Sequence, residues 1–150
     1  MEKYRRIRRI GEGATAEVYL VEELVSGSLY AMKVSEHTEL LEREAYVLKR
    51  LAHKAFPKVK EYVSQTNQLI MEYVEGNSLQ ELLDSGKRFE IREIFYIMGG
   101  VLEALNELHI QDGPIIYRDV KPANIMIEKS GRIRLVDMGA AYASGMDTEG

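Results

Sequence analysis

Between Glu17 and Ala52 the apolar residues change their spacing from a period of two to a period near 3.6, and this change constrains the fold more than any other feature. Glu17 to Glu23 and Ser28 to Val34 are β-rich runs around a turn at Val25-Ser26-Gly27, which reads as a hairpin. In the second run Leu29, Ala31 and Lys33 share one face, with Tyr30, Met32 and Val34 on the other. Leu40 to Ala52 then switches to a helical stripe of Leu41, Ala45, Leu48 and Ala52, with Leu51 beside it. Pro57 closes that stretch. Strands are expected at Val59 to Val63 and Gln68 to Tyr73, joined through Thr66-Asn67. The opening run Tyr4-Arg5-Arg6-Ile7-Arg8-Arg9 reads as an edge strand with a solvated basic face.

The second half is organised differently. Glu75-Gly76-Asn77-Ser78 looks like a hinge, and Ser78 is placed to cap a short helix, Leu79 to Leu83, with Glu81 at the capping-box offset. Ile91 to His109 is the longest helical pattern and is apolar nearly all round, with Phe95, Tyr96 and Leu102 opposite its main stripe. Two short β-runs follow, Ile125 to Ile127 and Ile133 to Val136, joined by Lys129-Ser130-Gly131.

Composition removes whole classes of function. Twenty basic residues against 24 acidic ones leave a net charge of −4, which disfavours nucleic acid as a partner. The absence of cysteine excludes disulfides, Cys-ligated zinc, iron–sulfur clusters and thiol catalysis. His37, His53 and His109 lie far apart and form no metal-binding pattern. The charged stretch Met1 to Arg9 lacks the apolar core of a secretory signal. Ile94 to Leu102, the longest mostly apolar stretch, is too short to span a bilayer, so no membrane partner and a cytoplasmic location are expected.

Three constellations carry chemistry. The run Gly11-Glu12-Gly13-Ala14-Thr15-Ala16-Glu17-Val18 leads into a strand and has Lys33, not an acid, 22 residues after Gly11. That order disfavours a dinucleotide fingerprint and suits a loop whose backbone N–H groups cover phosphates. Taken alone, a glycine-rich hairpin turn is the commoner meaning of such a run. Lys33, taken alone, is a solvated strand lysine. Glu44, however, projects from the apolar stripe of its helix, where a carboxylate is costly unless a cation meets it, and Lys33 is the candidate. The third constellation is Tyr117-Arg118-Asp119-Val120-Lys121-Pro122-Ala123-Asn124 with Asp137-Met138-Gly139. Asp119 can take a proton from a hydroxyl, Lys121 can neutralise a phosphoryl group, and Asn124 and Asp137 offer hard oxygens of the kind that suits Mg²⁺. Singly, Asp119 reads as a turn residue and Asn124 as a cap; all the clusters in this order weigh against that reading.

Together these residues resemble the eukaryotic-like serine/threonine protein kinase family in its bacterial style, along the whole chain. The resemblance implies an α+β, kinase-like fold: a small lobe over residues 1–74, a hinge at 75–77, and part of a mainly helical large lobe over 78–150. It implies that Gly11, Gly13 and Val18 cover ATP and that Lys33, held by Glu44, meets its α- and β-phosphates. Ala31, Met71 and Met126 would line the adenine pocket, with the backbone of Glu72 and Val74 hydrogen-bonding the base. Asp119 and Lys121 would act on the phosphoacceptor, and Asn124 and Asp137 would bind Mg²⁺. Lys121, two residues after Asp119, resembles serine/threonine kinases.

Four departures accompany the resemblance. Ala16 stands in place of the third glycine, Tyr117 in place of histidine and Met138 in place of phenylalanine; none removes a charged group. The fourth is length, since the chain stops 13 residues after Asp137. Arg118 would meet a phosphorylated residue in the family, and Tyr142, Ser144 and Thr148 are the nearby hydroxyls. The expected function is transfer of the γ-phosphate of Mg-ATP to a protein hydroxyl, including its own. The alternative is a nucleotide-binding, pseudokinase-like module or an inactive kinase fragment. The apolar side of Ile91 to His109 is expected to be covered by a second copy of the chain or by another partner.

Overall fold

The structure, a computed structural model, describes residues 2–13 and 15–143; Ala14 and the hydroxyl candidates Ser144 and Thr148 lie outside the described residues. The chain divides into two compact units, one of residues 1–50 and 58–73, the other of residues 51–57 and 74–150.

The first unit is built on a five-stranded antiparallel sheet of β1 (Tyr4–Glu12), β2 (Glu17–Glu23), β3 (Leu29–Val34), β4 (Val59–Val63) and β5 (Gln68–Glu72), in the order β1-β2-β3-β5-β4. The hairpin expected between Glu17 and Val34 is present, with Gly27 at φ +74° in its turn, a conformation that L side chains rarely adopt. Two register shifts in β1 break its pairing with β2. The outer strands β1 and β4 are stapled together where the Tyr4 hydroxyl donates to Glu61 Oε1 at 2.6 Å and Lys3 Nζ reaches the same oxygen at 3.0 Å. Between them Tyr4, Val21, Met32 and Ile70 form a buried cluster on one face, with Tyr19, Tyr30 and Val34 packed against it. The basic face of β1 is not bare: Arg5 pairs with Glu22 at 3.0 Å and Arg6 lies over the Tyr19 ring.

Helix α1 (Thr38–Lys49) buries Leu41, Glu44, Ala45, Val47 and Leu48. The stripe was expected to run to Ala52, but the helix ends at Lys49 and Ala52 is exposed. The Arg50 amide turns back to the Val47 carbonyl three residues earlier, a tightened last turn that stops the α-helical ladder.

The second unit holds β6 (Gly76–Ser78), α2 (Leu79–Asp84), α3 (Ile91–His109), β7 (Ile115–Ile116), a 3-10 turn (Pro122–Asn124), β8 (Ile125–Glu128), β9 (Ile133–Leu135) and β10 (Tyr142–Ala143). Strands β6, β8 and β9 form one small sheet, and β7 pairs with β10. Within the stretch 75–77, expected as a hinge, Gly76 and Asn77 pair with Glu128 and Ile127. Glycine permits this, because a Cβ at residue 76 would lie 2.2 Å from the Ile127 carbonyl oxygen. The expected capping box of α2 is complete, with Glu81 N donating to Ser78 Oγ at 3.0 Å and Ser78 N to Glu81 Oε1 at 3.3 Å.

Helix α3 has the expected limits and buries Ile97, Val101, Ala104 and Leu108 against β9 and β7. Gly100 allows the close approach, since a Cβ there would stand 2.7 Å from Ile133 Cβ. Its remaining apolar residues face outward, with Phe95 68% and Leu102 62% exposed. Among the described residues, no helix is long and apolar enough to cross a membrane.

Candidate functional site

In the first unit the central feature is a buried ion pair. Lys33 leaves β3 on the same side as Ala31, and its Nζ lies 2.8 Å from Glu44 Oε2 and 3.1 Å from Oε1. The two side chains are only 8% and 1% exposed. Charges this far from water persist because each is the other's partner; removing one strands the other. Ala31 is buried between Leu20 and Met71, its partners on β2 and β5, and Met71 is itself buried. The Glu72 amide donates to the Lys58 carbonyl at 2.8 Å, so that N–H is engaged within the sheet.

The glycine-rich run closes the β1–β2 hairpin. Gly11 pairs with Val18 and Glu12 with Glu17, and the Gly13 amide donates to the Ala16 carbonyl at 2.8 Å. A Cβ at Gly11 or Gly13 would make only ordinary contacts, at 3.5 Å and 3.7 Å. Nothing among the described residues therefore crowds either position into being glycine.

In the second unit the expected residues converge on two hydrogen-bonded loops. Asn124 Nδ2 donates to both the Asp119 carbonyl and Asp119 Oδ2, each at 3.0 Å, while Lys121 Nζ lies 3.7 Å from the same carboxylate oxygen. With its side chain 35% exposed, Asp119 keeps access to solvent and to a ligand. The two loops are tied to each other at three points. The Val136 amide donates to the Asn124 carbonyl at 3.0 Å, the Tyr117 hydroxyl to the Val136 carbonyl at 2.7 Å, and Arg118 Nε to the Ala140 carbonyl at 2.8 Å. Tyr117 and Met138, the two aromatic-position departures, are both buried and fill the space between these loops and the core.

Arg118 and Asp137 both adopt φ +66°, in the left-handed region. Aspartate tolerates it; for an arginine it costs about 1–3 kcal/mol, which its bond to Ala140 and its stacking near the Tyr142 ring help to offset. The Gly139 amide caps Asp137 Oδ1 at 3.0 Å. Val74 and Met126 also belong to this unit, Val74 buried and Met126 half-buried on β8 opposite Ser78 and Arg134.

The donor set fits a small hard cation. Asn124 spends its amide nitrogen on Asp119, so its amide oxygen is the atom that could ligate a cation, and Asp137 could add a carboxylate. No group of three or more acidic, histidine or cysteine side chains gathers among the described residues. Two protein oxygens with the rest of the shell left to water and phosphate is the arrangement Mg²⁺ favours.

Sequence reasoning missed the residues that hold this geometry. Arg134 is buried, donates to Glu128 Oε1 at 2.5 Å and to the Phe56 carbonyl at 3.0 Å, and so fixes residues 51–57 against β9, which leads into Asp137. An arginine within a short β-run carries no signal of such burial.

The comparisons agree with the geometry. The family model described as protein kinase domain matches residues 4–149. The chain is 30% identical to the serine/threonine-protein kinase PrkC of Bacillus subtilis, over 97% of this chain and 24% of the relative. It is 31% identical to the probable serine/threonine-protein kinase PknB of Lactococcus lactis, over 95% and 24%. It is 34% identical to the serine/threonine-protein kinase pkn2 of Myxococcus xanthus, over 93% and 18%. The chain thus spans about a quarter or less of the length of these relatives. With its α+β architecture and this match along nearly its whole length, the chain belongs to the protein kinase domain family, in its bacterial-style serine/threonine branch.

Proposed function

We propose that the chain binds Mg-ATP and transfers the γ-phosphate to a serine or threonine hydroxyl of a protein, its own included, in the ATP-holding cytoplasm. The observation that carries this reading is the Asp119 carboxylate, held by Asn124 and approached by Lys121 yet still exposed. Asp119 accepts the proton as the hydroxyl oxygen attacks the γ-phosphorus; the bond to the bridging oxygen breaks and ADP leaves. Lys121 offsets charge on the transferring group. Lys33, oriented by Glu44, holds the α- and β-phosphates. The glycines at 11 and 13, which nothing among the described residues crowds, keep side chains out of the way of a phosphate approaching the loop backbone. By the family resemblance, Val18, Ala31 and Met71 of the first unit and Met126 of the second are the candidates for lining an adenine site, and backbone groups of Glu72 and Val74 the candidates for reading the base. Asn124 and Asp137 would hold Mg²⁺, which supplies neutralisation of phosphate charge.

Radiolabelled ATP incubated with wild type and Asp119→Asn tests this. Label should enter protein with wild type and fall by about 10²-fold or more in the variant. No incorporation and no difference between the two overturns catalysis; stabilisation by Mg-ATP without transfer would mark a nucleotide-binding module instead.

The outward face of α3 is proposed to seat a second copy of the chain. Ile91, Phe95, Met98 and Leu102 follow a 4-3-4 spacing, the seam that a partner helix fits.

A further inference from the structure

The β2–β3 ladder ends at Glu17 and Val34, and one residue later a side chain takes over from the backbone. The Ser35 hydroxyl donates to the Thr15 carbonyl at 2.5 Å, inside the glycine-rich run, and accepts from the His37 amide at 3.0 Å. These roles are not interchangeable. An amide can only donate and a carbonyl can only accept, so the single hydroxyl hydrogen must point at Thr15. His37 is also the N-cap residue of α1, and its own side chain makes no capping bond. Ser35 thus joins the glycine-rich run to the start of the helix that carries Glu44.

Ser35 is held in turn. Asn67 Nδ2 donates to the Ser35 carbonyl at 2.6 Å, and Asn67 Oδ1 accepts from the Tyr62 hydroxyl at 2.8 Å. Asn67 is buried and sits at φ +50° in the β4–β5 turn, a conformation asparagine tolerates better than most residues. Its amide orientation is set by the same logic, since only its nitrogen can meet a carbonyl. The relay runs from Tyr62 through Asn67 and Ser35 to Thr15, across the first unit.

We infer that Ser35 and Asn67 are positioning residues that latch the glycine-rich run, through the Thr15 carbonyl, to the β3–α1 connection. The latch fixes the height of the loop above β3 and couples it to the register of the helix bearing Glu44. Its consequence for nucleotide affinity rests on the kinase reading above; the latch itself does not.

Amide hydrogen exchange of the full chain tests it without any nucleotide, in wild type, Ser35→Ala, Ser35→Thr and Asn67→Gly. Asn67→Gly keeps the turn conformation and removes only the side-chain amide. Exchange at Gly13 and Ala16 should rise about fivefold in Ser35→Ala and Asn67→Gly, the factor expected for one lost hydrogen bond. Val21 and Ile70 in the sheet core should not change, and Ser35→Thr, which retains the hydroxyl, should stay close to wild type. Exchange at Gly13 and Ala16 unchanged in Ser35→Ala, or raised equally at Val21 and Ile70, overturns the latch. ATP titration of the same proteins is a separate readout. If wild type binds ATP, Ser35→Ala should bind about fivefold more weakly, and equal affinity refutes the link to the nucleotide. If wild type does not bind, the kinase reading fails while exchange still decides the latch.

Discussion

At the scale of single residues, the Lys33–Glu44 pair is the most exposed to substitution. Lys33→Met alone leaves a carboxylate buried without its cation and should cost about 3–5 kcal/mol in urea unfolding. Adding Glu44→Leu should recover much of that loss, because an apolar pair fills the same space without a stranded charge. A double variant no more stable than the single would refute this account. Glu44 was legible in the sequence because a carboxylate interrupted an apolar stripe. Glu61 was not, since its partners Lys3 and Tyr4 lie more than fifty positions away. The Tyr4 hydroxyl bond, followed by the Lys3 bond, holds the Glu61 carboxyl below its ordinary value near 4.5. A carboxyl lowered on folding stabilises the fold above its ordinary value and loses that contribution as pH falls through the lowered one. Melting temperature should therefore drop on acidification from about pH 5 downward, and Glu61→Gln should make the drop shallower. Parallel acid limbs for the two proteins would refute it.

At the scale of elements, two adjacent glycines of α3 have opposite meanings. Gly99 faces open space, so Gly99→Ala should stabilise by about 0.5–1 kcal/mol through helix propensity. Gly100 packs on Ile133, so Gly100→Ala forces α3 away from β9 and should destabilise by about 1–3 kcal/mol. Thermal melts of the two variants check the sign directly. Nothing in the sequence distinguishes them; the helix stripe placed both on one element, and only the packing partner separates them. Long elements such as α3 were legible because their periodicity runs for several turns. The short strands β6, β7 and β10 were not, since two or three residues carry no period and are strands only because another strand pairs with them. In α2 the capping box was legible because both of its residues are local, and Ser78→Ala should cost about 1 kcal/mol.

At the scale of the whole molecule, the outward face of α3 carries the proposed pairing of two copies. If a second copy seats on it, light scattering at micromolar concentration should give twice the monomer mass, and Phe95→Glu should return the monomer. A monodisperse wild-type monomer would refute the pairing. The family, the hairpin and the limits of α3 could be read directly from the sequence, because they depend on local spacing and on side-chain chemistry. The tertiary structure decided which partners meet across long separations: Tyr4 with Glu61, Asn67 with Ser35, Arg134 with Phe56. It also decided that Arg118 takes a left-handed backbone to reach Ala140. Hydrogen bonds between distant residues leave no periodic trace in the chain, so they exist only once the fold has brought their ends together.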